Sequence, residues 1–147
     1  MRFTWIGAVM ALSALSCGGK KTDQAAGQQA GQPGGAGSVI EVKMTGDGTK
    51  FWYEPSTLTV APGTTVRFIN VAGGPHNIGF YPDSIPAGAA DVLNAAMANR
   101  MDNLSGPLLT NPNDQYDVSF AGAPAGTYKG FCLPHVALGM KITITVQ

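Results

Sequence analysis

One short segment near the C-terminus, Cys-Leu-Pro-His-Val-Ala-Leu-Gly-Met, constrains the fold of this chain more than any other. It holds a thiol at Cys132, an imidazole at His135 and a thioether at Met140, a Cys-x2-His-x4-Met spacing. Residues 128–132 before it and residues 141–146 after it have the alternating pattern of β-strands. A loop this short between two strands can present all three side chains to a single ion.

A second imidazole would complete a soft metal site, and the only other histidine in the chain is His76. It follows the strand-like residues 64–71 and the bend Gly-Gly-Pro. A thiolate, two imidazoles and a weak thioether are the donors of a soft, asymmetric copper site. Structural zinc sites typically use four Cys or His ligands. Three Cys/His donors with one methionine therefore favour copper.

Each of these residues has an ordinary structural explanation when it is taken alone. A histidine after Gly-Gly-Pro is more often hydrogen-bonded within its loop than bound to a metal. A lone buried cysteine usually packs as a small hydrophobic residue, and a methionine before a final strand is usually in the core. Their joint placement, on two loops that each follow a strand, predicts one copper ion bound by four residues: His76, Cys132, His135 and Met140.

Residues 1–16 have the pattern of an export signal, because Arg2 precedes a mostly apolar run and small residues precede Cys17. The sequence Ser-Ala-Leu-Ser-Cys-Gly-Gly around Cys17 resembles a bacterial lipoprotein cleavage box. The apolar run is shorter than the roughly 18 residues of a membrane span. We expect residues 1–17 to be a signal peptide ending at a lipid-modified Cys17, which anchors an exported protein on the periplasmic side of a membrane. Ordinary signal cleavage nearby, or a buried N-terminal helix, are the alternatives.

The cysteine count agrees with this organisation, because Cys17 and Cys132 are the only two. If Cys17 is processed, Cys132 has no disulfide partner, and a bound metal would protect its thiol in an oxidising compartment. Residues 18–37 are rich in Gly, Gln and Ala and read as a flexible linker. Residues 38–147 then form the copper-binding domain, long enough to bury a core of its own.

Short alternating stretches dominate residues 38–147, with Gly and Pro at the breaks between them. Seven or eight such strands predict an all-β, Greek-key β-sandwich. Residues 87–101 are the single helix candidate, an insertion in which Leu93, Met97 and Met101 are spaced by four. We expect these methionines, and Met44, to fill the core rather than to bind metal.

Four motifs resemble plastocyanin: Pro-His-Asn-Ile at residues 75–78, Ile-Pro-Ala-Gly at 85–88, Gly-Thr-Tyr at 126–128, and Cys-x-Pro-His with Gly-Met within 132–140. The resemblance covers residues 38–147. It implies a cupredoxin fold and a type 1 copper bound by the four residues named above. It also implies that Asn77 steadies the Cys132 loop by hydrogen bonding, and it places Pro134 beside the ligands.

A one-electron carrier, and not an enzyme, is the function that these residues favour. Multicopper oxidases need several His-x-His pairs, and a binuclear copper centre needs a second cysteine in the ligand loop; the sequence has neither. A copper storage or delivery module is the alternative, although the Met/His-rich tracts of such proteins are absent. The two functions differ in whether copper cycles reversibly without leaving.

The expected partners are a redox donor and a redox acceptor in transient contact near His135. The apolar neighbours of this histidine would surround its edge if they face outward, and would only cap the sandwich if they turn inward: Pro134, Val136, Ala137 and Leu138. The net charge is zero, and residues 38–147 carry six Lys/Arg and eight Asp/Glu. A nucleic-acid partner is not expected, because it would require a basic face.

Overall fold

The computed structural model describes residues 37–147. The predicted signal peptide, Cys17 and nearly all of the linker lie outside these residues. The described strands are β1 Val39–Gly46, β2 Phe51–Glu54, β3 Thr57–Val60, β4 Thr65–Asn70, β5 Gly79–Phe80, β6 Gln115–Ser119, β7 Gly126–Phe131 and β8 Lys141–Val146. The helix α1 is Ala89–Ala96, and 3₁₀ turns cover Pro82–Ser84 and Leu133–Leu138. No helix among residues 37–147 is long and apolar enough to cross a membrane.

The strands form two four-stranded sheets, in the orders β2-β1-β4-β6 and β3-β8-β7-β5. β1 pairs with β4, and β3 with β8, in parallel, whereas the other pairs are antiparallel. The chain therefore passes from one sheet to the other between β2 and β3 and returns with β4. The predicted all-β, Greek-key sandwich is confirmed.

The core lies between the sheets because alternate residues of each strand point inward. On β8 these residues are Ile142, Ile144 and Val146, and on β4 they include Val66 and Phe68, all of them buried. The bounds predicted at residues 141–146 match β8. β5, only two residues long, was not predicted as a strand.

The helix is shorter than predicted, because α1 ends at Ala96 and Met97 is already extended. Leu93 and Met97 are buried as expected, and so is Met44. The core prediction is wrong for Met101, whose side chain is 50% exposed. A spacing of four places residues on one face only while the helix continues, and here it stops one turn before Met101.

Candidate metal centre

His76 enters the site from the loop that follows β4. Its backbone N–H donates to the carbonyl oxygen of Leu109 at 3.1 Å, and its carbonyl oxygen accepts the N–H of Leu109 at 2.8 Å. Its imidazole is buried, and Nε2 lies 3.0 Å from the carbonyl oxygen of Ala72. A carbonyl can only accept a hydrogen bond, so Nε2 carries the proton and Nδ1 keeps its lone pair free.

The loop between β7 and β8 carries the other three predicted ligands, and its own backbone closes it. The N–H of Cys132 donates to the carbonyl of Met140 at 3.1 Å, and the N–H of Met140 donates to that of His135 at 3.2 Å. Pro134 lies in the first turn of the 3₁₀ segment, where a missing N–H costs nothing. Gly139 ends the turn at φ 88°, a conformation that favours glycine.

The two loops bring three donor atoms together at one end of the sandwich. Cys132 Sγ lies 3.6 Å from His76 Nδ1 and 3.5 Å from His135 Nδ1. All three donor atoms lie within 4.8 Å of one another. Met140, the fourth predicted ligand, is buried. Metal bonds of about 2.3 Å to sulfur and 2.0 Å to nitrogen, at trigonal angles, would separate sulfur from nitrogen by about 3.7 Å. The observed distances fit one shared ion.

Burial sets the protonation of these groups in the absence of a cation. It raises the pKa of the Cys132 thiol, against the hydrogen bonds that the N–H groups of Asn77 and His135 offer to the sulfur. It lowers the pKa of His76, against the bond to Ala72. Burial, and then repulsion from His76, lowers the pKa of His135. Both imidazoles therefore stay neutral at neutral pH, and each keeps a nitrogen lone pair that can bind a metal. A bound cation would supply the positive charge that favours the thiolate form of Cys132.

The chemistry and geometry of this donor set match a known family. Residues 40–147 match the profile of copper binding proteins of the plastocyanin/azurin family. The chain belongs to the plastocyanin/azurin family. This confirms the resemblance seen in the sequence, and it makes the protein a copper protein of the type 1 electron-carrier class with one copper ion as its cofactor.

Two plastocyanins and an auracyanin illustrate what this chain is similar to. A plastocyanin from Scenedesmus fuscus is 42% identical over 108 residues, which are 74% of this chain and 99% of that protein. The oxidised plastocyanin from Dryopteris crassirhizoma is 32% identical, with a TM-score of 0.54 over 74% of this chain and all (100%) of that one. The reduced auracyanin from the photosynthetic bacterium Roseiflexus castenholzii is 28% identical, with a TM-score of 0.51 over 77% and 99%.

Asn77, which follows the first histidine of this plastocyanin-like site, links the two loops. Its Oδ1 accepts the N–H of Leu133 at 2.7 Å. Its Nδ2 donates to Ser105 Oγ and to the carbonyl of Gly106, each at 3.2 Å. The side chain is buried, so these bonds have no competition from water. Asn77 therefore fixes the residue next to Cys132 relative to the loop that carries His76.

Phe51 on β2 is a site residue that the sequence analysis missed. Its ring stacks on His135, with 3.7 Å between ring centroids and 7° between planes. It also meets His76 edge-on at 6.1 Å. In the sequence Phe51 is an ordinary strand residue far from either histidine, and no local pattern marks it.

Proposed function

We propose that the protein is a one-electron carrier whose copper ion is bound by four residues: His76, Cys132, His135 and Met140. The observation that carries this proposal is the convergence of Cys132 Sγ and two imidazole Nδ1 atoms within 4.8 Å at one end of a plastocyanin-like sandwich. We include Met140 because its backbone closes the loop onto Cys132 and His135 and its side chain is buried. These four residues do not form a catalytic arrangement for a substrate, and we propose no enzymatic activity.

Burial and hydrogen bonds hold two of the proposed ligands in place. His76 is buried and fixed by Ala72, and Cys132 is buried beneath the loop held by Asn77. Copper supplies a centre that exchanges one electron between Cu(I) and Cu(II). A donor set that suits both oxidation states and cannot rearrange keeps the energy of reorganisation low. Preorganisation of this kind serves electron transfer rather than delivery of the ion.

Retention of copper through redox cycles tests this function against storage or delivery. We expect the full chain to be oxidised and reduced repeatedly, in the presence of an external copper chelator, with no loss of metal. The buried donors support this expectation, because a delivery site must open to hand over its ion. Metal content and the visible spectrum after each cycle are the measurement. Transfer of copper to the chelator on reduction would favour delivery.

The residues around the edge of His135 suggest where the electron passes to a partner. His135 is half-buried, whereas the loop beside it exposes 58% of Leu138 and 48% of Leu133. Pro134 and Ala137 are also exposed, and residues 133–139 carry no Lys, Arg, Asp or Glu. A small apolar surface suits a short-lived complex between redox proteins, which buries a small interface area. We propose this surface, residues 133–138, as the docking surface for a redox donor and acceptor.

Leu138→Glu is expected to slow electron self-exchange without changing the visible spectrum. Self-exchange brings two copies together at the same surface, so each docked pair would bury a carboxylate and set two negative charges against each other. A loss of about 1.4 kcal/mol in the docked complex corresponds to roughly tenfold in rate. Line broadening in NMR spectra of mixed Cu(I) and Cu(II) protein measures the rate.

Val39→Glu is the matched control for this charge. Val39 is 50% exposed at the start of β1, and Gly46, at the other end of that strand, pairs with Phe51 beside the site. Seven residue steps along a strand separate the two ends by about 23 Å. The control should exchange electrons at the wild-type rate. Equal rates for Leu138→Glu and wild type, or a steep fall of the wild-type rate with added salt, would place docking elsewhere.

We propose that the mature protein is exported, attached by a lipid at Cys17, and carried on the linker of residues 18–37. The export pattern of residues 1–16 and the small residues around Cys17 support this location. A linker rich in Gly, Gln and Ala would let the copper domain reach partners near the periplasmic surface of a membrane.

A further inference from the structure

The stack of Phe51 on His135 is the closest ring contact among the described residues. The two rings are nearly parallel, with 7° between planes and 3.7 Å between centroids. His135 is the more exposed of the two site histidines, and the Phe51 ring covers one face of its imidazole. A flat ring on one face of the imidazole leaves its Nδ1 directed at Cys132 Sγ, 3.5 Å away.

One glycine leaves room for the Phe51 ring, and a second glycine packs against the backbone of the first. Phe51 is paired with Gly46 at the end of β1 and β2, and a Cβ on Gly46 would collide with the Phe51 ring edge. A Cβ on Gly73, in the loop that leads to His76, would approach the Cα of Gly46 to 3.0 Å. The backbone of Gly46 is therefore packed between Phe51 and the His76 loop.

The turn before Phe51 is also held firmly. Asp47 accepts hydrogen bonds from the N–H groups of Thr49 and Lys50, at 2.8 and 2.7 Å, and from the hydroxyl of Thr49 at 2.7 Å. The bond from Lys50, followed by those from Thr49, lowers the pKa of Asp47 to about 2. The carboxylate is therefore charged at neutral pH, where it can accept these hydrogen bonds.

We propose that Phe51, seated on Gly46, is a positioning residue that holds the imidazole of His135 in its metal-binding orientation before copper arrives. This inference rests on the proposed function, since it takes His135 as a ligand. Without the stack the imidazole samples other rotamers, and copper binding must immobilise it. One immobilised side chain costs about 0.5–1.5 kcal/mol, which is roughly a twofold to tenfold loss of affinity.

Two variants of the full chain test the proposal by different routes. Phe51→Leu removes the ring and keeps an apolar side chain at a half-buried position. Gly46→Ala keeps the ring but displaces it, because the new Cβ occupies its place. Phe51→Tyr retains the flat ring and should restore wild-type behaviour. The matched control is Trp52→Leu, an aromatic residue on the opposite face of β2 that is 39% exposed and has no ring contact to a histidine within residues 37–147.

The readouts are the NMR positions of the His135 ring protons, with Cu(I) bound and after its removal, and Cu(I) affinity from competition with a chelator. In wild type, Phe51→Tyr and Trp52→Leu we expect the ring-current shift of a stacked imidazole in both states. In Phe51→Leu and Gly46→Ala we expect that shift to disappear and Cu(I) affinity to fall roughly twofold to tenfold.

Two results would overturn the proposal. Unchanged His135 ring protons in Phe51→Leu would mean that the rings do not stack. Loss of the shift with unchanged Cu(I) affinity would mean that the stack does not position the ligand. Failure of the proposed function is distinguishable from both. If the proposed ligand set is wrong, wild-type protein binds no copper at this site while its His135 protons still show the stacking shift, and if the protein delivers copper, the ion leaves during redox cycling.

Discussion

Cys132→Ser is expected to abolish the intense blue colour of the oxidised copper protein. In a type 1 site the colour arises from charge transfer between a cysteine thiolate and Cu(II). Cys132 Sγ lies 3.6 Å from Nδ1 of His76 and 3.5 Å from Nδ1 of His135, where it can share one ion with both imidazoles. A serine hydroxyl has no comparable transition and remains protonated near neutral pH. The visible spectrum of copper-loaded protein, before and after reduction, measures the effect.

Cys17→Ser is the matched control, since Cys17 is the only other cysteine in the chain. It should leave the blue absorption and its bleaching on reduction unchanged. Circular dichroism should show the same β-sandwich in both variants, because Cys132 is a small buried side chain at the end of a sheet. A Cys132→Ser protein that stays blue, or a wild-type protein with only the faint absorption of nitrogen and oxygen ligation, would contradict the proposed ligand set.

Asn77→Leu is expected to destabilise the domain by about 3 kcal/mol and to weaken copper binding. Leucine is similar in size but cannot accept the N–H of Leu133 or donate to Ser105 and Gly106. Buried polar groups left without partners cost about 1–3 kcal/mol each. The Cys132 loop would also lose its link to the His76 loop. Urea denaturation and chelator competition measure the two effects.

Asn94→Ala separates the general cost of losing a hydrogen-bonded amide from the effect on the metal centre. Asn94 Oδ1 accepts the N–H of Leu104 at 2.9 Å and so holds a loop in the same way, but at the end of α1. We expect this variant to lose stability and to keep wild-type copper affinity. If Asn77→Leu denatures at the wild-type urea concentration, or if both variants bind copper equally well, Asn77 does not hold the ligand loop.

The strands that the sequence predicted well are those in which burial alternates along the whole element. β8 is the clearest case, because Ile142, Ile144 and Val146 point inward and the residues between them do not. The C-terminal end of the helix could not be predicted from the spacing of apolar residues. The backbone is already extended at Met97 and Asn99 has a φ of 50°, so the chain has left the helix before Met101.

The chemistry of the candidate site was present in the sequence as residue types and spacing. Cys-x2-His-x4-Met and one remaining histidine limit the choice of metal because thiolate, imidazole and thioether are soft donors. The tertiary structure alone decided which groups meet. It brings His76 to Cys132 across 56 residues and lays Phe51 on His135. These contacts depend on how the two sheets pack and where their strands end, and a pattern within one strand or loop carries no record of either.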